Sequence, residues 1–205
     1  RLDLSAENLL EPGEYTVSLA VRQQGELSEV AGPLSFTVKS LPQGQETSAT
    51  PDAVLAFQRK AGEVYRAVTG AGRLSASLNQ RIDHLKVAIP RTPAASESLE
   101  QRLRGIEARL DALNVRLLGD SSVSSRNEPT PWSVTRRAGA VYGLMLNVRS
   151  DVPDQYETSY AIAAREFRSV LDDLTAIDTD LSALEVELER LGAPYTPGRV
   201  PQWRE

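Results

Sequence analysis

Apolar side chains recur at alternating steps of three and four residues through the last quarter of the chain. The series is unbroken and consists of Tyr160, Ala163, Phe167, Val170, Leu174, Ile177, Leu181, Leu184, Leu188 and Leu191. This spacing places them all on one side of a helix, and that side must pack against other helices to leave water. The pattern predicts a long helix that begins near 151–153 and ends at 192–194.

The same spacing predicts a second long helix, over 51–89. Its apolar positions run from Val54 to Ile89, and Ser75 is the polar exception. Pro51 suits the first position of a helix and Pro90 its end. Glycine costs about 1 kcal/mol relative to alanine inside a helix. The weakest stretch of this helix is therefore expected around three glycines, unless a neighbouring backbone approaches them closely: Gly62, Gly70 and Gly72.

Two shorter helices are predicted between the long ones. The first starts near Ser96 or Ser98 and carries an almost pure leucine seam up to Leu117, and the second opens at Thr130-Pro131. Residues 119–130 between them have no periodicity. Because a helix rises about 1.5 Å per residue, the two short helices together match one long helix. The fold class predicted is mainly α: an up-down-up antiparallel bundle whose middle layer is broken at 119–130.

The first forty residues alternate apolar and polar side chains with a period of two, which predicts a β-hairpin with its turn at Gln23-Gln24-Gly25-Glu26. Gly32-Pro33 marks either a bulge or the true start of the second strand. The segment 12–17 looks like the tyrosine corner of an immunoglobulin-like or fibronectin-like sandwich, whose earlier strands would lie upstream of Arg1. Four regions are therefore expected: sandwich strands at 1–40, a linker at 41–50, the helical bundle at 51–192 and an extended tail at 193–205.

Composition excludes several classes of function. The chain has 23 basic and 28 acidic side chains, for a net charge of −5, and no cysteine. It therefore has no basic footprint for nucleic acid and no thiolate chemistry. No apolar run approaches the roughly 20 residues that span a bilayer. We expect neither a nucleic-acid partner nor membrane insertion.

No residue is predicted to be catalytic, to bind a cofactor or to ligate a metal. His84 is the sole histidine and lies on the predicted exposed face of the first long helix. The neighbouring acids Asp172-Asp173 and Asp178-Thr179-Asp180 diverge around a helix axis, so they do not converge on one ion or sugar. A solvated acidic face, which extends to Glu189, is the simpler interpretation. Arginines of the second helix are expected to pair with acids inside the bundle.

Six residues are candidates for binding or for a structural role. Arg126, Asn127 and Glu128 lie in the loop that breaks the middle layer, where a polar cluster either binds a ligand or satisfies helix ends. The aromatic candidates either form a platform for a sugar ring or anchor the chain to the bundle. These are Trp132, Tyr195 and Trp203, and one of the last two is expected to dock the tail.

Three strings of the chain carry a family resemblance. They are 126–131 (Arg-Asn-Glu-Pro-Thr-Pro), the turn beginning at Glu166-Phe167, and 192–201 (Gly-Ala-Pro-Tyr-Thr-Pro-Gly-Arg-Val-Pro). They resemble the C-terminal region of secreted bacterial β-propeller proteins of the glycosyl hydrolase or sortilin-like BNR-repeat type, over nearly the whole chain from Pro12 to Trp203. The resemblance implies an extracellular or periplasmic location and carries over no catalytic residue.

Function is accordingly expected to be non-catalytic. The favoured hypothesis is an accessory or assembly module of a larger secreted β-propeller protein that mediates protein–protein contacts, with upstream domains or another protein as partner and self-association as a secondary possibility. The alternative is a carbohydrate-binding accessory region of a glycoside hydrolase, with a glycan as ligand. No cofactor is expected.

Overall fold

The structure is a computed structural model that describes residues 13–39, 51–126, 128–146 and 151–201. It contains two strands, β1 (Gly13–Gln23) and β2 (Glu26–Val38), followed by helices. The helices are α1 (Pro51–Ala88) with a 3-10 turn (Ile89–Arg91), α2 (Glu97–Leu117), α3 (Ser121–Ser124), α4 (Val134–Met145) and α5 (Asp154–Arg190). The predicted fold class, a mainly helical bundle preceded by a β-hairpin, is confirmed.

β1 and β2 form an antiparallel hairpin whose two-residue turn is Gln24-Gly25, where both residues have positive φ. The register shifts after Val17, opposite Gly32-Pro33. β2 is continuous through this point, so Gly32 marks a bulge and does not start the strand. A Cβ at Gly32 would lie 2.7 Å from the Ser18 Cα, and its φ is +117°. Only glycine fits there.

The helices run up, down and up. α1 and α5 have 38 and 37 residues, so each spans about 55 Å at 1.5 Å per residue. α2 packs antiparallel along the second half of α1, and α4 continues in the same direction along the first half. The hydroxyl of Thr135 donates to the carbonyl of Leu117 at 2.7 Å and joins the two halves of the middle layer.

The core follows the predicted seams. Apolar residues of α1, α2 and α5 form one continuous cluster, and a smaller cluster surrounds Val54, Ala61, Val141 and Met145 at the α1–α4 end. Ser75, the exception in the α1 seam, is fully buried, and its hydroxyl bonds the Asn114 side chain at 2.5 Å. A buried polar pair of this kind favours one helix register over its neighbours.

Two details of the middle layer differ from the prediction. α4 begins at Val134 and not at Thr130-Pro131, because the Ser133 hydroxyl caps it by accepting from the Arg136 amide at 3.2 Å. The loop predicted to lack periodicity contains the single helical turn α3. Asp120 caps that turn by accepting from the amides of Ser122 and Val123. The Ser122 hydroxyl also donates to the Asp120 carboxylate. This bond most of all, together with the two amide bonds, lowers the pKa of Asp120.

Candidate functional site

Of the predicted loop residues, Arg126 and Glu128 pair with each other, Nε to Oε1 at 3.0 Å, and both side chains are more than half exposed. Asn127 lies outside the described residues. The pair is local, since it joins positions two apart in one loop. An exposed pair of this kind contributes about 0 to 1 kcal/mol. Because the two side chains pair with each other, the arrangement favours a structural role in the loop over binding of a ligand.

Two of the aromatic candidates, Trp132 and Tyr195, are not brought together. Trp132 lies beside the junction of α2 and α4, halfway along the bundle, whereas Tyr195 follows the end of α5. The Trp132 ring is 43% exposed, and the guanidinium carbon of Arg136 lies 4.7 Å from its centroid. This cation–π contact places a guanidinium over one face of the ring. Trp203 lies outside the described residues.

A buried charge cluster joins α1 to α5, and the sequence pattern did not single it out. Glu185 is 4% exposed, and its two carboxylate oxygens accept from Nε and Nη2 of Arg81, both at 2.9 Å. Arg81 also donates to Asp178 at 2.5 Å and to the Ser182 hydroxyl at 2.9 Å. The bond to Glu185, more than any other contact, raises the pKa of Arg81. A paired geometry of this kind is required before a charge can be buried.

The sequence signal for this cluster is the position of its two charged residues beside the apolar seams. Arg81 directly precedes the seam residue Ile82, and Glu185 directly follows the seam residue Leu184. Opposite charges that flank two helical seams are candidates for pairing between the helices. The sequence does not show which two of the many flanking charges face each other.

The segment after α5 is folded back onto this cluster. Gly192 has φ +77°, its amide bonds the Glu189 carbonyl, and the Ala193 amide bonds the Leu188 carbonyl at 3.0 Å. These bonds form a Schellman motif, in which glycine at the left-handed position ends the helix and redirects the chain. Ala193 is only 8% exposed as a result.

A second turn aims Arg199 at the bundle. The Arg199 amide bonds the Thr196 carbonyl at 3.2 Å across Pro197-Gly198, and Gly198 has φ +86°. Proline followed by a positive-φ glycine is the preferred sequence of a type II turn. Arg199 Nε then donates to Glu189 at 2.5 Å, and its Nη1 lies 3.6 Å from Glu185. The bond lowers the pKa of Glu189 and raises that of Arg199.

Ala193 and Arg199 hold the tail, and Tyr195 is 47% exposed. The expectation that Tyr195 or Trp203 docks the tail stays a prediction, since Trp203 lies outside the described residues. A small cavity remains beneath the tail, lined by Leu85, Ala88, Glu185, Leu188, Glu189, Ala193, Pro194 and Thr196, with a volume of about 10 Å³. That volume holds about one water molecule and no sugar ring.

Three ion pairs at heptad spacing join α2 to α5. They are Arg102–Glu187, Arg109–Asp180 and Arg116–Asp173, the last at 2.6 Å. Each step of seven residues forward along α2 matches seven residues backward along α5, as an antiparallel coiled coil requires. We call these pairs the ion-pair ladder. Most of the acidic face predicted on α5 is therefore neutralised inside the bundle, by this ladder together with Arg81 and Arg199.

Where α1 and α4 cross, the two helices have nearly identical sequences. Residues 59–65 read Arg-Lys-Ala-Gly-Glu-Val-Tyr and residues 136–142 read Arg-Arg-Ala-Gly-Ala-Val-Tyr. A Cβ at Gly62 would lie 3.4 Å from the Tyr142 ring, and a Cβ at Gly139 would lie 3.5 Å from the Tyr65 ring. The two tyrosine rings stack at 4.9 Å between centroids, 13° from parallel. Within the ranges that the structure describes, a close approach of a neighbouring backbone is found at none of Gly62, Gly70 and Gly72; at Gly62 the neighbour is the side chain of Tyr142.

The apolar face of the hairpin has no cover in the described part of the chain. Tyr15 stacks on Phe36 with ring centroids 5.8 Å apart. Yet large apolar side chains on both strands are about 40 to 70% exposed: Val17, Leu19, Val21, Leu34 and Phe36. We call this surface the hairpin face. Contiguous exposed apolar side chains of this kind mark an interaction surface.

The described residues contain neither a metal-binding cluster nor a helix that could span a membrane. No three His, Asp or Glu side chains in those ranges are grouped closely enough to hold a metal ion. His84 is exposed on α1, as its position in the heptad predicts. None of the described helices has a stretch that is both long and apolar enough to cross a bilayer.

Comparison with known proteins places the chain in no family. No protein-family model matches it, and no solved structure matches it. Laminin subunit beta-2 of Rattus norvegicus is 28% identical over 127 residues, which are 62% of this chain and 7% of that protein. The human laminin subunit beta-2 matches at the same identity over the same length and shares. The chain spans about 7% of the length of these relatives, so their similarity brings no function to it.

Proposed function

We propose that the chain is a non-catalytic accessory and assembly module of a larger secreted protein, and that it mediates protein–protein contacts through its hairpin face. The observation that carries the proposal is the exposure of that face, with Leu34 69% and Leu19 59% exposed. The resemblance to the C-terminal region of secreted bacterial β-propeller proteins supports the extracellular or periplasmic setting.

We expect the hairpin face to pack against the apolar face of a β-sheet in a sandwich-type domain. A two-stranded hairpin is marginally stable alone and needs further strands or a packed layer. A second copy of the hairpin is a poorer fit. Two strands about 35 Å long and about 10 Å wide offer on the order of 350 Å², and a stable interface between separate molecules needs about 800 Å² per partner. A sheet in the same polypeptide is free of that requirement, so the covering sheet is expected to belong to an upstream domain of the same protein.

The helical bundle supports the proposal because the flanks between α1, α2 and α5 already carry charge pairs. The ion-pair ladder closes the α2–α5 flank, Arg81 closes the α1–α5 flank at Asp178 and Glu185, and Lys86 pairs with Glu107 between α1 and α2. Coiled-coil flanks that are paired in this way specify their partners and leave little for a fourth helix. The bundle then acts as an arm about 55 Å long.

Hydrogen exchange tests the proposal. Amide protection at Val17 and Leu34 is measured in the chain alone and in the natural gene product that contains it. We expect at least about tenfold greater protection in the longer protein, because a covering sheet removes the hairpin from water. Val17→Lys with Leu34→Lys should abolish that gain and leave the bundle's helicity unchanged.

The matched control is Thr16→Lys with Ser35→Lys, on the polar face of the same hairpin. It should retain the protection. Equal protection in the short and long proteins, or a gain that survives lysines on the hairpin face, would refute the proposal. A panel of glycans tests the alternative carbohydrate-binding function; binding that disappears in Trp132→Ala at unchanged helicity would replace protein contact with sugar recognition.

A further inference from the structure

The tail segment, residues 193–201, is anchored to the bundle at Ala193 and at Arg199. The Schellman motif seats Ala193, and the type II turn directs Arg199 to Glu189 and Glu185. Other side chains of the segment are well exposed: Tyr195 is 47% and Val200 85% exposed. Elements that bury little apolar surface open at low free energy. The tail segment therefore resembles a bound peptide more than a part of the core.

The surface beneath the segment has the chemistry of a peptide-binding groove. Its floor is apolar, formed by Leu85 and Ala88 of α1 and Leu188 of α5. Its rim carries the carboxylates of Glu185 and Glu189. Arg81 satisfies Glu185 from inside the bundle, whereas Glu189 bonds the arginine of the tail segment. An apolar floor with a carboxylate rim recognises an extended segment that has small or proline residues and one arginine.

We propose that this groove, between the end of α1 and the end of α5, is a binding site for an extended, proline-containing partner segment that carries an arginine, and that the chain's own tail segment fills it in cis. The covalent link gives the tail a local concentration in the millimolar range, so a free partner segment binds only when the tail is displaced. The groove lies at the end of α1 away from Pro51, the end that follows the hairpin in the chain, and the inference does not depend on the proposed function.

The probe is a fluorescent nine-residue peptide with the sequence of residues 193–201. The opened protein is the full chain with Gly192→Val and Arg199→Glu. The backbone at position 192 has a φ of +77°, which is unfavourable for valine. A glutamate at position 199 is repelled by Glu185 and Glu189. We expect the opened chain to bind the peptide at least about tenfold more tightly than the wild type, measured by fluorescence anisotropy up to millimolar protein.

Two controls separate recognition from general charge effects. Arg190→Glu makes the same charge change at an exposed position in the last turn of α5 and should bind no better than the wild type. A peptide with glutamate in place of its arginine should lose about tenfold or more in affinity for the opened chain. Equal binding by the wild type, the opened chain and the Arg190→Glu chain would overturn the proposal, as would binding that ignores the arginine.

A third variant keeps the test independent of how completely the tail is released. Adding Glu189→Gln to the opened chain removes one rim carboxylate at a partly exposed position, so the helices should keep their circular dichroism. Peptide affinity should fall by about fivefold to tenfold, because a charge-assisted hydrogen bond becomes a neutral one. Unchanged affinity in this variant would locate the peptide elsewhere and reject the groove.

Discussion

At the scale of single residues, burial separates Glu185 from the other acids of α5. Its side chain is 4% exposed, whereas the side chain of Glu187 is 46% exposed in its pair with Arg102. A buried carboxylate depends on its partners, because nothing else replaces the water it has lost. An exposed one loses little when its partner is removed. Two residues of the same type and two positions apart thus differ in their contribution to stability.

The first prediction concerns this difference. Glu185→Ala should lower the free energy of unfolding by about 2 to 3 kcal/mol, because it leaves the partly buried Arg81 without its bidentate partner. Glu187→Ala is the matched control and should cost no more than about 1 kcal/mol. Urea unfolding followed by circular dichroism measures both. Equal losses in the two variants would mean that the cluster is no more important than an exposed pair.

The second prediction concerns the pH dependence of the tail segment. Arg199 lowers the pKa of Glu189 below its ordinary value of 4.5. A folded-state pKa below the unfolded one contributes stability above pH 4.5, and that contribution is lost as the pH falls through the folded value. Glu185 and Arg81 are the other charged groups that act on Arg199. The Arg199 Nε–H signal in NMR spectra should therefore lose its protection from exchange as acid protonates Glu189, at a pH below the ordinary value of 4.5.

Glu189→Gln provides the control for this titration. Glutamine has no proton to gain, so the Arg199 signal should be less protected at neutral pH and should show a weaker dependence on pH. A signal in the wild-type chain that stays protected down to pH 2 would contradict the assignment of Glu189 as the group that holds the tail.

At the scale of the elements, the crossing of α1 and α4 shows why a glycine was placed inside a long helix. Gly62 makes room for Tyr142, and Gly139 makes room for Tyr65. Gly70 lies in the same helix as Gly62, but a Cβ added there would meet no atom within 4 Å. Gly62 therefore has a packing role, whereas Gly70 only weakens the helix.

The third prediction compares these two glycines. Gly70→Leu should raise the free energy of unfolding by about 0.5 to 1 kcal/mol through helix propensity. Gly62→Leu should lower it by about 1 to 3 kcal/mol, because the added side chain must displace the Tyr142 ring. Thermal unfolding measures both, and near-UV circular dichroism reports the tyrosine stack. A stabilising Gly62→Leu would show that the crossing is not tightly packed.

At the scale of the whole molecule, the ion-pair ladder sets the direction and the rotation of α2 against α5. Its arginines and acids repeat every seven residues, so it favours the antiparallel alignment in which the two charged flanks face each other. The ladder does not choose between registers one heptad apart, because such a shift would place Arg102, Arg109 and Arg116 opposite Asp180, Asp173 and Glu166. The pairs are about half exposed, so their value lies more in specificity than in stability.

The fourth prediction reverses the ladder. Replacing Arg102, Arg109 and Arg116 together by glutamate should lower the free energy of unfolding by about 1 to 3 kcal/mol, since each flank then pairs acid with acid. Replacing Glu187, Asp180 and Asp173 by arginine in the same chain should restore most of the loss. Urea unfolding at low and high salt measures the effect, which salt should reduce. Failure of the second set to restore stability would show that these charges do not stabilise the bundle by pairing across the two helices.

The helices and the hairpin were predictable from the sequence because their signals are local. A 3,4 spacing determines which side of a helix is apolar, and alternation does the same for a strand. Gly25, Pro90 and Gly119 mark ends that depend on φ preferences of single residues. The up-down-up order followed from helix lengths alone. The start of α4 was wrong because Ser133, three residues after the predicted opening, is the residue that caps the helix.

The charge cluster and the seat of the tail segment depended on tertiary structure. Arg81 and Glu185 are 104 residues apart in the chain, and local periodicity carries no information on which flanking charges meet. Their pairing is decided by the rotation and offset of α1 against α5. The sequence by itself determined the elements, their order and the apolar sides that pack. Only the packed bundle decided which carboxylate is buried and where the tail lies, because burial depends on neighbours that are distant along the chain.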